Sequence, residues 1–206
     1  RPGPLKSVEV LDIFRMKTAP AFEVALKLGV LYAASHRTSG GGAELPSRMG
    51  SYENIASVLS AYSEALGIAY QIRDDLSDWG QAGETDDLAG LRPSLLLAVA
   101  HERATQDARD LLGAVWRRCL PEAITATQIE ALCGELKADE RSRLLLETYK
   151  EQAIRSLRDL DNPNLKGLLR RVIGRIFNET EIQGWCKEFE KKNVSDAMRE
   201  TAPAPA

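Results

Sequence analysis

The sequence predicts an all-α protein, and three observations carry that prediction. Apolar residues recur at helical spacing through most of the chain, no stretch alternates as a half-buried strand does, and leucine and alanine dominate the apolar set. Breaks between the periodic segments fall at glycine and proline clusters, where helices end.

The elements follow in order. Arg1 to Ser7 is an extended lead-in punctuated by Pro2, Gly3 and Pro4, with Ser7 placed to cap a helix. Val10, Leu11, Phe14, Ala21, Val24, Ala25 and Leu28 then keep helical spacing to about Ala34. Pro20 interrupts that run and takes away the donor for the Met16 carbonyl, so a kink is expected at Lys17-Thr18. An ammonium and a hydroxyl beside such a break are placed to meet an anion; a surface lysine before a bend is the plainer alternative. His36 to Gly50, with Gly40-Gly41-Gly42 and Pro46, reads as a flexible connection, because the glycines lack the Gly-Lys-Ser/Thr that a phosphate cradle needs.

A second helix is expected from near Tyr52 to Trp79, with Gly80 as its C-terminal cap. Within it Gly67, Gln71, Asp74, Asp75 and Asp78 fall at i, i+4, i+7, i+8 and i+11, on one side. Ala65, Ile68, Ala69, Ile72 and Leu76 form an apolar stripe on another. Three carboxylates within two turns repel one another. A hard divalent cation with oxygen ligands offsets that repulsion, and Mg²⁺ characteristically takes one or two carboxylates together with waters and phosphates. The competing reading is a solvated acidic face. Gln81 to Pro93 is polar and turn-like, and Ser94 to His101 is an apolar run assigned to helix. Further helices are expected over roughly Ala104 to Arg118, Thr127 to Leu136 and Asp139 to Leu160, the last with Leu144, Leu145, Thr148, Ala153, Ile154 and Leu157 as its apolar face. After the break at Asp161-Asn162-Pro163-Asn164, another carries Leu165, Leu168, Leu169, Val172, Ile173 and Ile176. Glu179 to Met198 reads as a charged helix and Thr201 to Ala206 as a frayed tail.

Composition sets outer bounds. A chain of 206 residues is long enough for one real core, and a net charge of −3 argues against a nucleic-acid-binding surface. The longest apolar runs, such as Leu95 to Ala100, fall far short of the ~20 residues a membrane span requires. No secretory signal is visible, which makes the cytoplasm the expected compartment. Cys119, Cys133 and Cys186, with only His36 and His101 beside them, fit neither a zinc site nor a disulfide framework. The start at Arg-Pro-Gly-Pro, without Met, points to a chain that begins partway through a longer gene product.

L-G-I-A-Y-Q-I-R-D-D-L-S-D-W-G, Leu66 to Gly80, resembles the second aspartate-rich motif of the trans-isoprenyl diphosphate synthases, or polyprenyl synthetases. F-R-M-K-T-A-P-A-F-E-V-A-L-K-L-G, Phe14 to Gly29, resembles the Lys-Thr helix that precedes that motif, and Asp86 to Ala98 resembles the loop that follows it. The resemblance implies an all-α helical bundle of the isoprenoid synthase type, usually a homodimer. It implies Mg²⁺-dependent head-to-tail condensation of an allylic diphosphate with isopentenyl diphosphate. Carried over, Lys17, Thr18 and Gln71 are catalytic, and Lys17, Gln71 and Arg92 bind the substrate diphosphate. Tyr70, where the family usually has Phe, lines the isopentenyl side, and Asp74, Asp75 and Asp78 serve the metal.

Two departures qualify this. The first aspartate-rich motif and its arginine pair are absent, and Arg117-Arg118 and Arg170-Arg171 lie on the wrong side of the motif to replace them. The chain is therefore expected to be a C-terminal portion of the synthase domain over 1-178, without the N-terminal helices, followed by a charged helix and tail over 179-206. The loop lysine is replaced by Leu91 or displaced to Arg92. A non-catalytic subunit or regulator of a prenyl diphosphate synthase is the alternative that these departures leave open.

Overall fold

The structure, a computed structural model, describes residues 3–36, 45–79, 94–119 and 124–178. Among them seven α-helices and one 3-10 turn account for the regular structure, with no strand. The helices are α1 (Ser7–His36), α2 (Leu45–Asp78), α3 (Leu95–Arg103), α4 (Gln106–Arg117), α5 (Ala126–Glu135), α6 (Ala138–Ser156) and α7 (Pro163–Phe177), with the 3-10 turn at Leu157–Asp159. The chain divides into two compact units, Arg1–Leu157 and Arg158–Ala206.

In the first unit α2 is the central element, with its most extensive contacts against α6 and α1. Its 34 residues make a rod about 51 Å long at 1.5 Å per residue. It starts at Leu45 rather than near Tyr52, because Pro46 falls in the first turn, where a missing N–H leaves no hydrogen bond unmade. It ends at Asp78 with Trp79 in the following turn, while Gly80 and the loop to Pro93 lie outside the described residues. Val58, Leu59, Tyr62, Ala65, Leu66, Ile68, Ala69 and Ile72 bury its inner faces.

Helix α1 begins at Ser7, so Ser7 is its first residue and not its cap. The Lys6 carbonyl accepts from the Glu9 and Val10 amides, and the Glu9 carboxylate accepts from the Lys6 N–H at 2.7 Å. Ser7 instead donates its N–H and hydroxyl to the two oxygens of Glu102, at 2.9 and 2.8 Å, tying the start of α1 to the last turn of α3. The helix runs on through Lys17-Thr18 and Pro20 to His36. Val10, Phe14 and Ala19 are buried, whereas Val24, Leu28, Leu31 and Tyr32 stay exposed, so the apolar run is divided between an inner and an outer face.

Helix α3 answers the ambiguity of the Ser94–His101 run in favour of helix. Leu95 through Ala100 are all buried, and a helix that is apolar all round is one packed on every side. Around it Val10, Phe14, Ile68, Ile72, Leu112, Val115, Trp116, Ala126, Ile129, Cys133 and Ala138 complete one core. Local signals set the ends: Ser94 caps α3 by accepting from the Leu97 N–H, and Thr125 with Gln128 forms a reciprocal capping box on α5. On α6 the inner face is Ser142, Lys150, Ala153 and then Leu157, while Leu144 and Thr148 lie outside it. Of the expected face Ala153 and Leu157 are therefore buried and Leu145 and Ile154 half-buried, and Lys150, not foreseen there, buries its stem and pairs with Glu147 at 2.9 Å.

The second unit holds α7. Asn162 caps it by accepting from Leu165, Pro163 takes the first helical position, and Asn178 ends it in the left-handed region. Leu169 and Ile173 are buried, and Leu168 is exposed. Residues 179–206, where a charged helix was expected, lie outside the described residues.

Candidate functional site

Geometry at this site starts from a glycine. A Cβ placed on Gly67 would stand 2.7 Å from the Ala19 nitrogen and 2.8 Å from its Cα, so the backbones of α1 and α2 touch there. Only glycine permits that approach without pushing the helices apart. Lys17 lies half a turn before the contact and Gln71 one turn after it. Lys17 Nζ accordingly reaches across and donates to Gln71 Oε1 at 3.2 Å. Helix–helix packing presents Lys17 to Gln71. Thr18 sits next to it, half-buried on α1. Further along the same seam the Ser60 hydroxyl donates to Glu23 Oε1 at 2.6 Å, and Lys27 also binds that carboxylate.

The three aspartates are not equivalent. Asp75 is half-buried, and its Oδ2 accepts the Leu95 backbone N–H at 2.7 Å, which docks the first turn of α3 on the end of α2. Burial pushes its carboxyl up to about 6; the Leu95 N–H opposes that shift, Asp78 and Asp74 add to it, and Lys17 opposes it. Asp74 Oδ1 pairs with the Arg73 guanidinium at 3.0 Å. Asp78 is exposed. Arg92 lies outside the described residues.

Tyr70 is half-buried and meets the edge of Phe22 from α1, with ring centroids 6.0 Å apart and planes at 63°. The Arg73 guanidinium lies 4.5 Å from the centre of the Tyr70 ring. Phe22, Arg73 and the Leu95 N–H are therefore parts of the site that sequence spacing did not single out. Arg73 had a visible signal, three residues after an aromatic and directly before an aspartate. The Leu95 N–H had none, because its partner is 20 residues away.

Lys17, Gln71 and Asp75 are thus gathered at one place by α1, α2 and the start of α3. Among the described residues no three Asp, Glu, His or Cys side chains converge closely enough to enclose a metal ion by themselves. The donor chemistry still suits Mg²⁺, which takes a few carboxylate oxygens and keeps waters and phosphates for the rest of its shell. Burial is the main reason the Asp75 carboxyl is raised, and the neighbouring Asp78 and Asp74 add to it.

No protein-family model matches the sequence, and no curated protein is recognisably similar to it. Among the described residues no helix is long and apolar enough to cross a membrane. Among solved structures the fold is similar to that of a decaprenyl diphosphate synthase from Rhodobacter capsulatus, with a TM-score of 0.64 and 23% identity, covering 86% of this chain. A fainter likeness, TM-score 0.48 at 25% identity over 60% of the chain and 40% of the other, is to a protein described as a geranylgeranyl pyrophosphate synthase from Corynebacterium glutamicum. The chain spans 52% of the length of the Rhodobacter synthase, and over that half it has the all-α isoprenoid synthase fold.

Proposed function

We propose that the chain forms the diphosphate-binding half of a trans-prenyltransferase site. That site would condense an allylic diphosphate with isopentenyl diphosphate, in a homodimer of the kind the family resemblance implies. The observation that carries this reading is the Lys17–Gln71 hydrogen bond across the Gly67–Ala19 contact, with Asp75 close by. A lysine held by an amide across a helix–helix contact keeps its remaining donors at a fixed place, which binding an anion requires.

Gln71 takes one of the three ammonium protons of Lys17 and so aims the other two outward, where diphosphate oxygens can accept them. Asp74 and Asp78 are the carboxylates that would hold Mg²⁺, and Asp75, engaged by the Leu95 N–H, fixes the approach of the following segment. Bound Mg²⁺ supplies Lewis acidity that neutralises charge developing on the departing diphosphate. Tyr70 and Phe22 wall the isopentenyl side and exclude water from it. Arg92 is a further candidate for the diphosphate.

One observation favours a second reading, a non-catalytic subunit that retains diphosphate binding: both Asp74 and Asp75 already have partners within the chain. A prenyl transfer assay with Mg²⁺, isopentenyl diphosphate and allylic diphosphates of several lengths separates the two. Turnover that falls roughly 100-fold in Lys17→Ala, the scale of removing one preorganised charge contact, supports catalysis. Binding of the diphosphates without turnover supports the second reading, and binding of neither sinks both.

A further inference from the structure

The contact between Gly67 and Ala19 fixes how far apart α1 and α2 lie, but one touching point leaves the angle between two rods undetermined. Ties on either side of it fix that angle. Lys17 pairs with Gln71, Ala19 meets Gly67 and Glu23 pairs with Ser60, so the two helices run antiparallel and the contact stands between two polar ties. On one side is the Lys17–Gln71 bond at 3.2 Å. On the other, Glu23 lies four residues beyond Ala19 and Ser60 seven before Gly67, about 6 and about 10 Å along their helices. The Ser60 hydroxyl has two acceptors within reach, the Ala56 carbonyl of its own helix at 2.9 Å and Glu23 Oε1 at 2.6 Å, and the shorter approach is to the charged oxygen on α1. Lys27, one turn further along α1, pairs with the same oxygen, and Lys27 and Ser60 together hold the Glu23 carboxyl below the ordinary carboxylate range. The edge-on contact of Phe22 with Tyr70 adds apolar area beside the crossing but tolerates sliding, which a charge-assisted hydrogen bond does not.

We propose that Glu23 is a positioning residue for the diphosphate site: held by Lys27 and bonded to Ser60, it sets the angle at which α1 crosses α2 and thereby keeps the Lys17 ammonium on Gln71. This rests on the diphosphate-binding reading above and adds to it a residue that never touches the anion. Without the tie, α1 can swing about the Gly67–Ala19 contact, and its Lys17 end moves in the opposite sense to its Glu23 end. Lys17 then keeps its charge but loses the direction of the donors that Gln71 aims. Removing the Glu23 carboxylate strands no group, because the Ser60 hydroxyl turns to the Ala56 carbonyl and the half-buried Lys27 reaches water.

Calorimetric titration of the full chain with inorganic pyrophosphate in the presence of Mg²⁺ tests this. Glu23→Ala is expected to weaken pyrophosphate roughly fivefold, the scale of one hydrogen bond lost. Ser60→Ala leaves the Glu23–Lys27 pair in place and gives a smaller loss in the same direction. Glu23→Gln keeps a carbonyl acceptor for Ser60 and restores most of the affinity. Gln71→Ala removes the other tie and weakens pyrophosphate to a similar extent, and adding Glu23→Ala to it costs less than about twofold more. Thr125→Ala, which removes the cap of α5 and lowers stability away from the α1–α2 crossing, leaves the affinity within about twofold of the parent. Thermal melting verifies that each variant is folded, and Ser60→Ala carries the prediction if Glu23→Ala does not fold. Losses that multiply in the double variant, a Glu23→Gln protein that binds no better than Glu23→Ala, or a Thr125→Ala protein that loses as much, overturn the proposal. So does unchanged affinity in Glu23→Ala and Ser60→Ala. A parent chain that binds no pyrophosphate overturns the diphosphate-binding reading itself, and the proposal with it.

Discussion

Glycine-to-alanine changes on α1 and α2 should have opposite signs, because the two glycines face different surroundings. At Gly67 an added methyl overlaps the Ala19 backbone at 2.7–2.8 Å, and backbone cannot rotate away. Overpacking of about 1–3 kcal/mol outweighs the ~1 kcal/mol that alanine contributes to helix propensity. At Gly29 nothing lies within 4 Å, so the same change should stabilise by up to about 1 kcal/mol. Urea unfolding of both variants checks the pair, and Gly67→Ala should also weaken diphosphate binding by moving Lys17 from Gln71. Asp75 supports a second prediction. Its folded carboxyl titrates at about 6, against 3.8 ordinarily, so the favourable contribution is complete below pH 4 and is lost as pH rises through 6. Asp75→Asn keeps an acceptor for the Leu95 N–H and does not ionise. The variant should therefore melt higher than the parent above pH 6, by about 1–3 kcal/mol or several degrees for a chain of this size, with the gap closing below pH 4. A gap independent of pH would contradict that assignment.

Among elements, α3 is the one whose burial is most complete and whose loss is predicted to be most damaging. Leu97→Ala, at 1% exposure amid a closed core, should cost about 2–5 kcal/mol. Ser94→Ala removes only the cap bond to the Leu97 N–H and should cost about 1 kcal/mol. The effects diverge in function as well. Loss of the cap frays the turn that carries the Leu95 N–H and so loosens Asp75, whereas Leu97→Ala removes apolar packing and leaves both backbone hydrogen bonds of that turn in place. Diphosphate affinity measured on both variants should fall further, relative to stability lost, in Ser94→Ala. Helix existence was legible wherever the period was long, and α1, α4, α5, α6 and α7 are found within a few residues of their expected bounds; α3, apolar all along, was assigned by composition and also lies close to its expected bounds. The misses have local physical causes. Pro46 looked like a loop residue because a proline within a first turn cannot be told from a proline that precedes one. Ser7 looked like a cap because its attraction to Glu102 depends on a residue 95 positions away.

At the scale of the whole molecule, the apolar core and the charged face of α2 depend on different things. Chelation of divalent cations should leave the fold intact, since the core of α1 to α6 is apolar, and should abolish most pyrophosphate binding; circular dichroism and titration with and without a chelator test both halves. The sequence by itself determined the all-α class, the order of the helices and the chemical types on the polar face of α2, because helical periodicity and residue type are local properties. It also placed Lys17, Gln71 and the aspartates in one resemblance-based set. Tertiary structure alone decided which of these meet. Lys17 bonds Gln71 because Gly67 lets two backbones touch at Ala19. Asp75 is half-buried under α3 while Asp78, three residues on, remains in water. Val24 and Leu28 lie outside although they share the period of the core residues before them. Each outcome depends on which surface of one helix faces another, a relation between residues tens of positions apart that no local pattern encodes.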